Sequence, residues 1–165
     1  AAKVDALLYA LLERVLLPYP DDVDDLLDGE APLSTFSARI RACHRLGLID
    51  TQFAKLLHIL RKLRNGFAHD IGHSSLAVGS ARDRVLAMAE PFKDALFYQK
   101  AVAMAAADSR KQPDDVGVIF RAVLSIFCME LYVSASKGRR GFTAPTIGIV
   151  ERAMNAQRGP ASGGS

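Results

Sequence analysis

Apolar residues recur every three or four positions through each long segment of this chain, and that spacing is the feature that most constrains its fold. In the first segment, for example, the series includes Leu8, Leu11, Leu12 and Val15. No segment alternates apolar and polar residues as a half-buried strand does, and the abundant Ala and Leu favour helices. The spacing therefore predicts an all-α protein, a single helical bundle of about five to seven helices.

The length of 165 residues is typical of one domain. We expect residues 1–157 to form a single all-α domain and residues 158–165, rich in Gly and Ser, to form a flexible tail. Within the domain, the acidic segment 21–28 predicts a short helix that ends at Gly29. Residues 70–80 have the composition of a loop, and residues 146–157 predict a last, weaker helix.

Several features predict a cytoplasmic protein that does not enter a membrane. The apolar N-terminal segment is interrupted by charges and lacks both a basic region and a small-residue cleavage site, so we expect no secretory signal. No uninterrupted apolar run reaches the roughly 18 residues of a membrane span. Cys43 and Cys128 lie far apart in apolar, helix-like surroundings, which predicts reduced core thiols rather than a disulfide.

The charges of the chain are segregated, although its formal net charge is only +3. Acidic residues dominate positions 21–30, whereas basic residues dominate positions 39–64, where Asp50 is the main opposing charge. Clustered Lys and Arg attract phosphate groups, so this segment is a candidate phosphate-binding surface. The alternative interpretation is that it forms a solvated helix face. The candidate nucleic-acid-binding residues of this basic segment are Arg41, Arg45, Arg61 and Lys62.

The segment of residues 64–69 contains the side chains best suited to chemistry. Arg64 offers a phosphate a planar fork of donors, and His69 titrates near neutral pH and can move a proton. Asn65 and His69, four residues apart, share a face of one helix, whereas Arg64 and His69 are about 140° apart around it. They would converge only if the helix ended early, as Gly66 allows, or if a second copy packed antiparallel across a two-fold axis.

Arg64, Asn65 and His69 are the candidate catalytic residues. Cleavage of RNA without a metal needs a base for the ribose 2′-OH, an acid for the leaving oxygen and positive charge for the pentacovalent phosphate. His69 suits the proton transfers, Arg64 the charge, and Asn65 the orientation of either. The alternative is structural: Arg64 pairs with an acidic residue, and His69 lies at a helix C-terminus, where positive charge is favourable.

Other chemistries lack their sequence signals. The chain has no glycine-rich phosphate loop, no HExxH or cysteine-rich zinc spacing, and no nucleophile elbow. His69 and His73 are four residues apart, but Gly72 lies between them in a segment of loop composition. We therefore expect neither a metal nor a cofactor.

Two stretches, residues 32–50 and residues 60–69, together resemble the mannitol operon repressor family and its uncharacterised relatives. The resemblance extends roughly from residue 7 to residue 133 and is clear from residue 29 to residue 69. The second stretch also resembles the signature of HEPN domains, an all-α group with an Arg-x4–6-His motif, which Arg64 and His69 match here. The resemblance implies a helical bundle and a homodimer. HEPN proteins include metal-independent endoribonucleases and also inactive regulators.

Two functions follow as hypotheses. The first is a regulatory protein like the mannitol operon repressor, which acts as a dimer by binding nucleic acid or a protein partner. The sequence contains no convincing helix-turn-helix with a polar recognition helix, so we do not expect direct sequence-specific binding to DNA. The alternative is a HEPN-type endoribonuclease, a toxin or RNA-processing enzyme, that uses Arg64 and His69. The sequence leaves open whether the protein is an enzyme.

Overall fold

The structure, a computed structural model, describes residues 1–19, 22–69 and 75–136. Within these ranges the chain forms α-helices and a short 3-10 helix, Glu90–Phe92, and no strand. The helices are α1 (Ala2–Glu13), α2 (Phe36–Arg45), α3 (Thr51–His69), α4 (Gly79–Ala89), α5 (Leu96–Ser109) and α6 (Val116–Ser136). The predicted all-α bundle is therefore confirmed.

The helix α6 is the centre of the bundle, because it packs against α1, α4 and α5. Its Phe127 is fully buried and meets the edges of the Phe53 and Phe92 rings, with centroids 5.1 and 6.4 Å apart. The helix α3 lies at the side of the bundle, packed against α2 and α4. By length and composition alone, α6 is also long and apolar enough to cross a membrane.

The helices that flank the basic segment begin and end where local sequence chemistry predicts. The hydroxyl of Thr35 caps α2 by accepting a hydrogen bond from the Ala38 N–H at 3.2 Å. Gly47 ends α2 in the left-handed region, at φ +69°, and the Leu48 N–H donates to the Cys43 carbonyl at 2.9 Å. Cys43 is buried, as predicted, and burial raises the pKa of its thiol to about 12.

Two of the expected elements differ from the structure. The short helix predicted over 21–28 is wrong for residues 22–28, which form turns instead. The carboxylate of Asp24 caps this segment by accepting hydrogen bonds from the N–H groups of Leu26 and Leu27, at 2.8 and 3.0 Å. Only one helical turn follows, in which the Asp28 N–H donates to the Asp24 carbonyl at 2.9 Å, before Gly29 turns the chain at φ +58°. The helix α4 begins at Gly79, inside the predicted loop. The predicted helix over 146–157 and the tail 158–165 lie outside the described residues.

Arg39 holds the corner between α1 and α2. Its Nη1 lies 2.9 Å from Oδ1 of Asp5 in an ion pair, and its other guanidinium nitrogens donate to the carbonyls of Leu27 and Leu33 at 3.1 and 3.0 Å. The guanidinium also lies 5.0 Å from the centre of the Tyr9 ring. By sequence Arg39 belongs to the basic segment, but its charge is neutralised inside the fold.

Candidate functional site

The helix α3 carries the candidate catalytic segment, and its backbone is continuous from Thr51 to His69. Asp50 starts the helix, because its carboxylate accepts a hydrogen bond from the Phe53 N–H at 2.7 Å. The helix does not end early at Gly66, the event that would let Arg64 and His69 converge within one chain. Positions 64 and 69 therefore stay about 140° apart around the helix axis.

One face of α3 belongs to the core and the opposite face is polar. The buried face consists mainly of leucines, Leu56, Leu57, Leu60 and Leu63. The polar positions follow at intervals of three and four residues, which places them along one stripe. This stripe contains positions 58, 61, 62, 65 and 69, of sequence HRKNH.

The exposure of the candidate residues agrees with these positions. Lys62 and Asn65 are exposed, whereas Arg61 and His58 are half-buried. Arg64 is exposed as well, but it lies three residues after Arg61, on the flank of the stripe rather than on it. The structure thus places Asn65 and position 69 on the stripe and Arg64 beside it.

The pKa of His58 depends on the positive charges of this surface. Burial, followed by the positive charges of Arg61, Arg41 and Lys62, holds the pKa of His58 below its ordinary value. Arg41 belongs to α2 and the other two cations belong to α3, so the two helices contribute to one positive field. The charges of three of the four predicted nucleic-acid-binding residues thereby act on one histidine. The fourth, Arg45, is exposed one helical turn beyond Arg41, on the same side of α2.

These charges have little opposition within the part of the chain that is described. Neither α2 nor α3 contains an acidic residue. Among the described residues, ion pairs form at Arg39, Lys93, Lys111 and Arg121, and none forms at the cations around His58. Also within these residues, the buried Nε of Arg61 has no hydrogen-bond acceptor. The cations are therefore available to an external anion.

Arg84 of α4 is a site residue that the sequence analysis missed. Its Nη1 lies 3.6 Å from the point where a Cβ atom on Gly66 would stand. The half-buried Arg84 thus brings a guanidinium to α3 beside the segment 64–69. Sequence spacing could not have indicated this approach, because it depends on how α4 packs against α3. Gly66 and Arg64 lie on opposite flanks of the polar stripe of α3, so Arg84 approaches on one side of the stripe and Arg64 lies on the other. We call the exposed surface that spans these positions the basic face; its cations are Arg41, Arg45, Arg61, Lys62, Arg64 and Arg84.

Other candidate chemistry is sparse in the described ranges. No group of three or more His, Cys, Asp or Glu side chains there is arranged to hold a metal ion. A cleft of about 270 Å³ opens between the N-terminal half of α3 and α6. Among the described residues its lining includes no histidine, cysteine or basic side chain, and its Asp50 already caps α3. The basic face is therefore the best candidate site.

Comparison of the chain with protein-family models, with curated proteins and with solved structures finds no match. The resemblance to the mannitol operon repressor family and to HEPN domains consequently stays a prediction. The candidate site rests on the residues of this chain alone.

Proposed function

We propose that this protein is a regulatory protein that binds the phosphate backbone of RNA through the basic face. The observation that carries the proposal is that the charges of Arg41, Arg61 and Lys62, from two packed helices, all act on His58, while neither helix contains an acidic residue. Like charges held close together are costly in the free protein, and phosphates relieve that cost when they bind.

The chemistry of the basic face favours backbone contacts over base readout. Guanidinium groups offer bidentate hydrogen bonds to phosphate oxygens. The six side chains of the basic face include no aromatic ring on which a base could stack. We therefore expect weak sequence preference and strong salt dependence. The resemblance to HEPN domains makes RNA the first nucleic acid to test, with DNA of the same sequence as a second arm.

The test is the salt dependence of binding to a short, fluorescently labelled single-stranded RNA of mixed sequence, measured by anisotropy. Each phosphate contact with a single strand contributes about −0.7 to the slope of log affinity against log salt. The triple variant Arg41→Gln/Arg61→Gln/Lys62→Gln should lower the magnitude of that slope by about 2, because three such contacts are lost. Its affinity should fall most at low salt, where the contacts are least screened.

A control variant loses the same charge elsewhere. Lys3, Arg14 and Lys93 are exposed and lie outside the basic face, so Lys3→Gln/Arg14→Gln/Lys93→Gln should nearly retain the wild-type slope. Equal losses in the two triple variants would mean that net charge, rather than this surface, attracts the RNA. The proposal would then be wrong.

RNA cleavage is the second candidate function, and the position of Arg84 favours it. Asn65 and position 69 follow one stripe of α3, and the Arg84 guanidinium approaches the helix at Gly66. In this hypothesis His69 takes the proton of a ribose 2′-OH, the 2′ oxygen attacks the adjacent phosphorus, and the bond to the 5′ oxygen breaks. The protonated His69 then returns its proton to the 5′ oxygen, so the products are a 2′,3′-cyclic phosphate and a 5′-OH end, and an arginine stabilises the pentacovalent phosphate.

Cleavage of the same labelled RNA by the variants tests this candidate. His69→Ala should reduce the rate by ~10²–10⁴ with the fold intact, and EDTA should have no effect. If one chain forms the site, Arg84→Ala should cost more than Arg64→Ala. If two copies form it, Arg64→Ala should cost more. Wild-type protein that binds the RNA and leaves it intact would reject cleavage and retain the binding proposal.

A further inference from the structure

The helices α5 and α6 leave an apolar groove of about 620 Å³ between their outer faces. Met104 of α5 and Met129 of α6 line this groove and are 74% and 64% exposed. Phe97, also in the lining, is 51% exposed. Exposed apolar side chains that adjoin one another, unlike those scattered singly, commonly mark a surface that binds a partner.

The apolar character of the two helices exceeds what the core requires. In α5 the buried side is apolar at Val102 and the exposed side is apolar at Met104. The most apolar stretch of α6 has only 33% of its residues buried. A helix that is apolar on all sides is normally covered on all sides. The described chain leaves part of each helix uncovered, and the groove lies between these uncovered parts.

The charges at the rim of the groove indicate what covers it. Lys100 lies on the α5 side and Glu130 on the α6 side, and within the described residues neither forms an ion pair. At the opposite end, Asp108 of α5 and Arg121 of α6 pair with each other. The rim thus carries two acidic and two basic groups, a balance that complements itself when the surface is rotated by a two-fold axis.

We propose that a second copy of this chain covers the groove, with the two-fold axis parallel to α5 and α6. In this arrangement α5 of each copy packs on α6 of the other, and Met104 and Met129 form the centre of the interface. Lys100 then lies opposite Glu130 of the second copy. Methionine and aromatic side chains at the centre with charged groups at the rim are the composition typical of protein interfaces. The groove and the basic face share no residue, so the two proposals are independent.

The test is the mass of the full chain in solution by light scattering at micromolar concentration. Wild-type protein should have twice the 17.9 kDa chain mass. Met104→Glu/Met129→Glu should reduce the mass to 17.9 kDa, because it places four carboxylates in one apolar interface. A matched control, Leu17→Glu/Val23→Glu, changes two exposed apolar residues outside the groove and should remain dimeric.

Exchange of the charges at Lys100 and Glu130 tests how the two copies are oriented in the dimer. This test introduces no acidic residue at an apolar position. Lys100→Glu alone should weaken the dimer, and Lys100→Glu/Glu130→Lys should restore it. Wild-type protein that is monomeric would overturn the proposal, as would a dimer that survives Met104→Glu/Met129→Glu with unchanged helical content. Monomeric protein that floats with neutral phosphatidylcholine vesicles, and loses that property in the same variant, would assign the groove to a lipid surface instead.

Discussion

Arg39 and Arg41 lie two residues apart on α2, yet they belong to two regions with opposite electrostatics. Arg39 points into the corner with α1, where Asp5 and two main-chain carbonyls satisfy its guanidinium. Arg41 is exposed, and its charge acts on His58, whose pKa is lowered by burial and then by Arg61, Arg41 and Lys62. The charge of Arg39 is thus neutralised within the fold, whereas the charge of Arg41 stays available to a ligand.

The largest expected effect on stability comes from Arg39. Arg39→Ala should reduce the free energy of unfolding by roughly 2–4 kcal/mol, because it leaves a partly buried carboxylate and two carbonyls without their donor. Arg39→Lys should recover only part of the loss, since an ammonium group cannot reproduce the three directed hydrogen bonds. Denaturant unfolding followed by circular dichroism measures both.

Arg41→Ala is the matched control on the same helix. It should change the free energy of unfolding by no more than about 0.5 kcal/mol, because the side chain is exposed. It should also weaken RNA binding, which is measured on the folded protein. If Arg41→Ala destabilised the protein as much as Arg39→Ala, the distinction between the two regions would be lost.

Helical periodicity was sufficient to predict the all-α bundle. The spacing of Leu56, Leu60 and Leu63 predicts a buried face on α3, and all three are buried. The capping by Thr35 and the end of α2 at Gly47 follow from local backbone chemistry, so the sequence predicts them as well. Such features depend on residues close together in the chain.

The partition of the charges could not be predicted in the same way. Helical spacing sets Arg39 and Arg41 about 160° apart around α2, but it does not indicate the partners of Arg39, which are Asp5 of α1 and two carbonyls from outside α2. Arg84 joins the segment 64–69 through packing of α4 on α3. The segment that Asp24 caps stops after one helical turn, and the Leu33 N–H then bonds back to the Leu26 carbonyl. These outcomes depend on three-dimensional partners or on side-chain hydrogen bonds that periodicity does not report.

Two glycines, Gly66 and Gly47, should give smaller changes in the free energy of unfolding than Arg39 when each is replaced by alanine. Gly66 lies inside α3, where a Cβ atom would stand at an ordinary contact distance of 3.6 Å from Arg84 Nη1. Gly66→Ala should therefore stabilise the protein by about 0.5–1 kcal/mol, because alanine loses less backbone entropy in a helix. Thermal unfolding measures the gain, and RNA affinity should stay unchanged.

Gly47 should respond with the opposite sign to the same substitution. Its φ of +69° lies in the left-handed region that L side chains disfavour, so Gly47→Ala should cost about 1–2 kcal/mol. A gain at Gly66 with a loss at Gly47 would show that the fold dictates the residue at the end of α2 and tolerates change beside the basic face. Loss of RNA affinity in Gly66→Ala would instead mean that RNA approaches the helix backbone there.

The smallest expected effect concerns the protonation of His58. The pKa of this histidine directly measures the positive potential of the basic face. In the free protein its pKa should lie below the ordinary value of about 6.5, because burial and then Arg61, Arg41 and Lys62 oppose a further positive charge. Between the two pKa values the unfolded chain binds more protons than the folded one, so this histidine makes stability fall as the pH decreases through that range. His58→Gln should remove this contribution.

Bound RNA should shift the same equilibrium in the other direction. Its phosphates offset the three cations, so the pKa of His58 should rise on saturation with RNA, as an NMR titration of the ring protons can measure. By linkage, a proton taken up on binding makes RNA bind more tightly at lower pH, and His58→Gln should flatten that dependence. A His58 pKa that RNA leaves unchanged would place the bound phosphates away from Arg41, Arg61 and Lys62. The basic face would then be a solvated helix surface and not a binding site for RNA.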